Sequence, residues 1–205
     1  MKNKNELYNT LTAINYWKTV GDDVQYAIFS DGEYLYLAFQ QSVSKRDWQV
    51  NFNFPAKLYK NQETCILAAR GWGNAYKSCN DEIMNDFITK LKADVRKKPV
   101  ICGWSYGGAM SLLAAEDLHF RTGHKPIVIT YGAPKPLFGL KTKNYVLSCV
   151  SEVYQYSHVN DLVTVMPPLA GYCRLKTDKI GGKFNLIKFF NPEKYHCIYG
   201  EKNEY

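Results

Sequence analysis

The order of apolar runs along the chain predicts an α/β fold, in which helices cover both faces of a mostly parallel sheet. Two observations indicate this fold. From residue 65 to residue 160, short apolar runs alternate with amphipathic stretches of helical period. A G-x-S-x-G motif also lies where one such run ends and a helical stretch begins. The 205 residues, 46% of them hydrophobic, are enough for one core, so we expect a single domain over residues 1–205.

The first third of the chain predicts a helix, a hairpin and a further strand. Apolar residues at three- and four-residue spacing predict an amphipathic helix over residues 6–19. "VQYAIFS" and "YLYLAFQ" then predict two strands, joined by a turn at Asp31-Gly32. "CILAA", from residue 65, predicts the next strand.

The middle of the chain carries the βα alternation on which the fold class depends. A helix is expected to start at Asn80, with a buried stripe of Ile83, Phe87 and Leu91. "PVICGW" then predicts a strand, and a helix follows from Tyr106 to about residue 120. "PIVITYG" and "VYQYSHV" predict two more strands. This order favours strands that run parallel in one sheet.

Composition excludes several classes of function. Six cysteines without a C-x-x-C pair make metal and redox roles improbable and suit reduced thiols in a cytosol. The formal charge of +7 is compatible with weak attraction to an anionic membrane or lipid surface, but no nucleic-acid-binding module is present. Neither a leader with about seven apolar residues nor a run of about eighteen is found. We therefore expect a cytoplasmic protein, with release by cell lysis left open.

The G-x-S-x-G motif covers Gly103–Gly107, between "PVIC" and "GGAMSLLAAEDLHF". Such a motif forms a sharp strand-to-helix turn, in which the serine projects and the flanking residues come too close together to carry side chains. We therefore interpret Ser105 as a nucleophile. The alternative is a glycine-rich turn that binds an anion or simply packs.

A serine hydroxyl needs a base, and the base needs an acceptor that orients it. Of the four histidines, His119 and His124 fall on or after the helix that follows the motif. In hydrolases of this type the acid follows a later strand and the histidine comes last. Asp161 and His196 fit these places, which makes His158 a neighbour of the acid. For either residue taken singly, the preferred interpretation is structural, with Asp161 as a turn residue and His196 as a tail residue.

Taken together, these residues resemble the class 3 lipase family of α/β-hydrolases, typified by small fungal triacylglycerol lipases. "GWSYGGA" is similar to the family's G-H-S-L-G-G-A, and "TYGAPKP" is similar to its T-F-G-x-P-R-V. "SHVNDLVTVMPPLAGY" is similar to the segment that carries the family's acid, which places the acid on Asp161. His196 and Tyr199 match its H-x-x-Y, which makes His196 the base. The resemblance, over about residues 25–200, implies an α/β-hydrolase fold with a triad of Ser105, Asp161 and His196.

The resemblance extends to the oxyanion hole. "AFQQSVSKRDWQVNF" is similar to the family's F-R-G-[ST] strand end and the D-W after it, which places the oxyanion serine on Ser42. Gln40-Gln41 stands where the family has Arg-Gly. A rival placement at residues 68–72 leaves "RDW" unexplained and lies too close to the G-x-S-x-G turn at residues 103–107, which we call the elbow. The resemblance implies that the backbone N–H groups of Ser42 and Tyr106 stabilise the oxyanion.

The function that the resemblance implies is a serine carboxylic-ester hydrolase of lipase or esterase type, without cofactor or metal. Its substrates would be acylglycerols, phospholipids or other esters. Apolar runs at residues 136–140, 162–172 and 184–190 are candidates for lining the pocket, with ordinary packing as the alternative. Two other interpretations stay open: a hydrolase-fold binding protein without turnover, and a thioesterase or phospholipase variant of the same chemistry. The sequence does not fix the oligomeric state.

Overall fold

The structure is a computed structural model that describes residues 1–21, 23–41, 55–61 and 64–200. The helices in these ranges are α1 (Lys4–Ala13), α2 (Arg70–Lys77), α3 (Asn80–Ala93), α4 (Tyr106–Thr122), α5 (Leu140–Ser148), α6 (Leu186–Phe189) and α7 (Pro192–Tyr195). The strands are β1 (Lys18–Val20), β2 (Val24–Asp31), β3 (Tyr34–Phe39), β4 (Ala56–Asn61), β5 (Thr64–Ala69), β6 (Lys98–Trp104), β7 (Ile127–Tyr131), β8 (Leu137–Phe138), β9 (Glu152–His158), β10 (Tyr172–Cys173) and β11 (Asp178–Ile180).

The main sheet has seven strands in the order β1-β2-β3-β6-β7-β9-β11. The five strands from β3 to β11 run parallel, while β1 and β2 are antiparallel additions at one edge. Parallel strands place their carboxyl ends at one edge of the sheet, where the loops after β6, β7 and β9 meet. The predicted mostly parallel α/β fold is therefore confirmed.

Alternate residues of the central strands face opposite sides of the sheet. In β3, Leu35 and Leu37 belong to the core beneath helices α2 to α5, while Tyr36 and Ala38 belong to a second core. That second core also contains Leu7 and other residues of α1. Side chains that alternate between two buried faces are typical of a parallel sheet covered on both sides.

One predicted strand lies in a different sheet. β5, the "CILAA" strand, pairs with β4 and β8 in a four-stranded antiparallel sheet of order β10-β8-β5-β4. The expectation that all strands from residue 65 share the parallel sheet is therefore wrong. Alternation along the chain predicts which segments form strands, but it does not predict how the strands pair. β5 pairs with β4, the strand that precedes it in a hairpin.

The helices differ from their predicted bounds at two places. α1 starts at a capping box, in which Asn3 and Glu6 cap each other's backbone N–H groups, and it ends at Ala13 because Ile14 is extended. The remaining predicted helical residues lead into β1. α2 was not predicted, because its two glycines are unfavourable in a helix, yet it forms a helix with a buried Trp72. Within the described ranges, no helix is both long and apolar enough to cross a membrane.

Candidate active site

The G-x-S-x-G motif forms the turn between β6 and α4. Ser105 has φ 56° and ψ −121°, a conformation that a residue other than glycine rarely adopts. A side chain at Gly103 would place its Cβ 2.3 Å from the Gly107 carbonyl oxygen, and one at Gly107 would lie 2.2 Å from the Phe39 carbonyl oxygen. Both glycines are therefore required by the backbone, as the sequence predicts. The Ser105 N–H donates to the Tyr131 carbonyl at 2.8 Å, which fixes the turn against the end of β7.

Asp161 lies in the loop after β9, and its carboxylate is buried. One oxygen, Oδ1, accepts the backbone N–H of Val163 at 2.9 Å. The other, Oδ2, lies 2.8 Å from His196 Nδ1 and also accepts the hydroxyl of Tyr199. Three donors around a buried carboxylate satisfy it without a lysine or arginine in direct contact.

His196 follows α7, and its ring is oriented from two sides. Nδ1 faces Asp161, and the His196 carbonyl accepts the Trp104 indole N–H at 3.0 Å. Within the described residues, the other ring nitrogen, Nε2, is buried and makes no hydrogen bond. When Nδ1 carries the proton that Asp161 accepts, Nε2 is an acceptor, which is the form a general base needs.

Two contacts connect the His196 ring to the residues around Ser105. The Trp104 ring, one residue before Ser105, lies 5.9 Å from the His196 ring between centroids. Gly132 follows the Tyr131 carbonyl that bonds Ser105, and a Cβ on Gly132 would lie 2.8 Å from His196 Cε1. The structure thus brings the elbow, the imidazole and the carboxylate to one edge of the sheet. Gly132 was not among the predicted site residues, although a glycine directly after "ITY" was a visible signal.

The Tyr199 hydroxyl connects Asp161 to the end of β9. Its hydroxyl donates to Asp161 Oδ2 and accepts the backbone N–H of His158 at 3.1 Å. Burial raises the pKa of Tyr199 well above its usual value, with the Asp161 carboxylate acting in the same direction. The phenol therefore stays protonated and continues to donate to the carboxylate.

Arg174 is a partly buried cation that was not among the predicted site residues. Its guanidinium donates to the carbonyls of Ala133 and Thr164 and to the hydroxyl of Ser157. Ala133 lies in the loop after β7, Thr164 lies in the loop that carries Asp161 (the acid loop), and Ser157 lies in β9. One side chain therefore connects three segments around the site. Burial lowers the pKa of Arg174, while the negative charge of Asp161 opposes that shift. A single arginine among many basic residues gave no signal in the sequence.

His158 takes a different place from His196, as expected. Its Nδ1 accepts the backbone N–H of Asn160 at 3.1 Å, and its ring stacks on Tyr195 at 5.3 Å. Burial lowers the pKa of His158, with Asp161 opposing the shift. His119 and His124 lie together at the far end of α4, where His119 Nδ1 is 3.3 Å from the His124 carbonyl oxygen.

The oxyanion prediction is only partly within the described residues. Tyr106 is the first residue of α4, so its backbone N–H lies at a helix N-terminus, where the dipole favours negative charge. Ser42 and the Asp47-Trp48 pair lie outside the described residues. Their roles remain predictions from the resemblance.

The apolar runs proposed as pocket lining behave differently from one another. Leu137 is fully buried in the core, and the rings of Phe138 and Tyr172 pack together at 5.1 Å, which favours ordinary packing for this pair. The run at residues 184–190 is largely exposed. A cleft of about 90 Å³ instead lies beside the elbow. It is lined by Leu11, Thr12, Ile14, Trp17, Phe39, Gln40, Gln41 and Trp104.

The chain is similar to several fungal lipases. It is 26% identical to secreted mono- and diacylglycerol lipase A of Penicillium cyclopium, over 78% of this chain and 52% of that protein. Secreted mono- and diacylglycerol lipase 1 of Fusarium solani is 27% identical, over 67% and 41%. A fungal lipase solved with an inhibitor superposes with a TM-score of 0.68 at 26% identity, over 78% of this chain and 62% of that one. The chain thus spans about half the length of these two relatives.

These relatives correct the expected location. Both are named as secreted enzymes, so the prediction of a cytoplasmic protein is contradicted. That prediction depended on the residue pattern near residue 1 and on cysteines without a C-x-x-C pair. Neither observation reports where a protein acts.

The family is shown by a longer match. Residues 36–171 match the model of the family described as lipase (class 3), which is more than half of the chain. The matched region contains Ser105 and Asp161 and ends before His196, which the fold places against Asp161. By this match, the chain belongs to the class 3 lipase family.

Proposed function

We propose that this chain is a serine carboxylic-ester hydrolase of lipase or esterase type, with Ser105 as nucleophile, His196 as base and Asp161 as the orienting acid. One observation carries the proposal: a buried imidazole bonded to a buried carboxylate at 2.8 Å contacts Trp104, the residue before a serine with φ 56°. Such an arrangement serves acyl transfer, because it turns a poor nucleophile into an effective one.

The reaction proceeds in two halves. In the first half, Ser105 Oγ bonds to the ester carbonyl carbon while its proton passes to His196 Nε2. That proton then leaves with the departing alcohol, and an acyl-enzyme remains. In the second half, water attacks the acyl carbon, His196 takes the water's proton, and the acid departs as Ser105 regains its hydrogen. Asp161 stabilises the imidazolium at each stage.

Negative charge develops on the carbonyl oxygen in both halves. The backbone N–H of Tyr106, at the N-terminus of α4, is a suitable donor for that oxygen. We assign the second donor to Ser42 on the resemblance alone. Each oxyanion donor contributes about 3 to 4 kcal/mol of transition-state stabilisation in enzymes of this class.

The substrates we propose are lipid esters, with acylglycerols first. The relatives named as mono- and diacylglycerol lipases support this class. The charge of +7 supports weak association with an anionic lipid surface. We also propose that residues 1–205 work as one hydrolase domain that needs neither cofactor nor metal.

The direct test compares the wild type with Ser105→Ala on a short nitrophenyl ester in solution. We expect the variant to lose about 10⁴-fold or more in kcat/KM while its thermal unfolding stays close to that of the wild type. Ser30→Ala, at an exposed serine at the end of β2, is the matched control and should turn over normally. Turnover by Ser105→Ala at the wild-type rate would contradict the mechanism.

A fluorophosphonate probe separates an enzyme from a hydrolase-fold binding protein. We expect the probe to label wild-type protein at Ser105 and to leave Ser105→Ala unlabelled. A folded wild-type protein that takes no label and hydrolyses no ester would favour the binding protein.

A further inference from the structure

A run of large apolar side chains lies on the surface just before His196. We define the docking segment as residues 184–190. In it, Phe184, Leu186, Ile187 and Phe190 are 59%, 62%, 86% and 67% exposed. Phe189 contacts both of the other phenylalanines, with ring centroids 5.5 Å apart, so the three rings form one cluster. Exposed apolar clusters mark contact surfaces more often than single exposed residues do.

The docking segment is fixed to the acid side of the active site. The Asn185 N–H donates to Asn160 Oδ1 at 2.8 Å, and Asn160 immediately precedes Asp161. On the other side, Lys188 Nζ lies 5.8 Å from the centre of the Tyr195 ring, and Tyr195 precedes His196. A surface that contacted this cluster would therefore lie next to the catalytic groups.

Two further large apolar side chains are exposed in the segment that follows the acid. Val165 and Leu169 follow Asp161 and are 40% and 55% exposed. Six of the ten large apolar side chains that are exposed in the described residues therefore lie between residues 165 and 190. The remaining four are distributed from Met1 to Leu140.

Basic residues lie within and on both sides of the docking segment along the chain. Residues 179–194 contain four lysines and one acidic residue, Glu193. The four lysines are exposed, at positions Lys179, Lys183, Lys188 and Lys194. Apolar side chains within a basic rim are complementary to an anionic lipid surface, which offers acyl chains beneath negative headgroups.

We propose that residues 184–190 and the lysines that flank them along the chain form a docking surface for an anionic lipid bilayer. The inference rests on the proposed function, which it deepens, because docking here brings the ester-bearing surface to Ser105 and His196. The partner is the lipid surface itself, recognised by its negative charge and its apolar interior. Docking involves no covalent step and needs no further component.

The test uses Ser105→Ala protein, so that binding is measured without hydrolysis. The protein is sedimented with vesicles of phosphatidylcholine alone or of phosphatidylcholine mixed with phosphatidylglycerol. We expect tighter binding to the mixed vesicles, and added salt should weaken it. Lys183→Gln and Lys188→Gln should each weaken binding to mixed vesicles about fivefold.

The apolar part is tested with Ile187→Asp in the Ser105→Ala background, with Val95→Asp as its control. Both positions are 86% exposed, but Val95 lies at the opposite end of the sheet, between α3 and β6. We expect Ile187→Asp to weaken binding to mixed vesicles about tenfold or more, since it removes an inserted side chain and adds a negative charge. Val95→Asp should change binding less than twofold.

Several outcomes would overturn the proposal. These are equal loss in the two aspartate variants, equal binding to both vesicle types, no binding to either, or a dimer in solution that Ile187→Asp dissociates. Hydrolysis of a dissolved ester by wild-type protein is measured separately. If Ser105→Ala protein does not bind the vesicles while wild-type protein hydrolyses the dissolved ester, only the docking surface is refuted. If Ser105→Ala protein binds the vesicles as expected while wild-type protein hydrolyses no ester, only the proposed function is refuted.

Discussion

The two sides of the candidate active site are built in different ways. On the elbow side, backbone packing positions Ser105: the glycines at 103 and 107 allow approaches that any side chain would block. On the acid side, side-chain hydrogen bonds position Asp161 and His196 within irregular loops. We infer that the elbow tolerates no added atoms, while the acid side is sensitive to lost donors and acceptors.

The largest effect is expected on the elbow side, from Gly107→Ala. Its Cβ would lie 2.2 Å from the Phe39 carbonyl oxygen, which belongs to the backbone of β3 and has no rotamer that removes the clash. We expect a loss of about 3 kcal/mol or more in the free energy of unfolding. Urea unfolding followed by circular dichroism measures it, and unchanged stability would contradict the steric explanation of the elbow.

A second comparison uses two glycines with positive φ. Gly132, at φ 55°, faces His196, whereas Gly123, at φ 73°, has open space around it. Both alanine variants should lose about 1 kcal/mol of stability to backbone strain. Only Gly132→Ala should also displace the imidazole and lower kcat for a soluble ester, by about 100-fold. Equal kcat values in the two variants would show that Gly132 has no special role.

On the acid side, Arg174→Met should have the largest effect on stability. It removes the donors to two backbone carbonyls and to the Ser157 hydroxyl, which leaves buried acceptors without partners. We expect the free energy of unfolding to fall by about 2 to 4 kcal/mol. Arg96→Met is the control, since Arg96 is exposed and pairs with Asp94 at the surface. If both variants unfold at the same denaturant concentration, Arg174 does not connect the three segments.

Tyr199→Phe should have a smaller effect. The variant loses the hydroxyl that donates to Asp161 and accepts from His158, and it keeps the ring packing against Tyr131. We expect a loss of about 1 to 2 kcal/mol in stability and about tenfold in kcat. Tyr154→Phe, which removes a surface hydrogen bond to Glu152, should change neither quantity. Normal kcat in Tyr199→Phe would exclude a positioning role.

The smallest effect is a pH dependence. The pKa of His158 is lower in the folded chain than its ordinary value, because burial disfavours the charged ring. The neutral His158 ring therefore contributes stability that is fully present above about pH 6.5. This contribution is lost as the pH falls toward the lower pKa of His158 in the folded chain. Between pH 7 and pH 5, the free energy of unfolding should fall less in His158→Gln than in the wild type. Chemical unfolding at each pH measures it. Parallel losses in the two proteins would contradict this origin.

The contrast between the elbow side and the acid side also explains which parts of the site the sequence could predict. The elbow is a local pattern, so its strand, turn and helix were predicted within a few residues, and Ile83, Phe87 and Leu91 were predicted correctly as the buried stripe of α3. Asp161 and His196 were assigned from the chain order of the triad and then from the resemblance, since each looks ordinary in its own loop. Arg174 and Gly132 were missed because their roles depend on contacts between segments far apart in the chain.

The partner of β5 was missed for a related reason. Its apolar pattern predicts a strand, and the prediction is correct, but the pattern does not state which strand lies beside it. The pairing depends on β4 and β8, which contribute strands too short or too polar to recognise in the sequence. Strand identity is a local property, whereas sheet membership is not.

The most direct test of the account is the coupling between Ser105 and His196. The measurement is kcat/KM for a soluble ester in Ser105→Ala, His196→Ala and the double variant. If the two side chains act as one unit, each single change costs about 10⁴-fold or more and the double variant is no slower than the single ones. Losses that multiply in the double variant would show that the two groups act independently and would contradict the account.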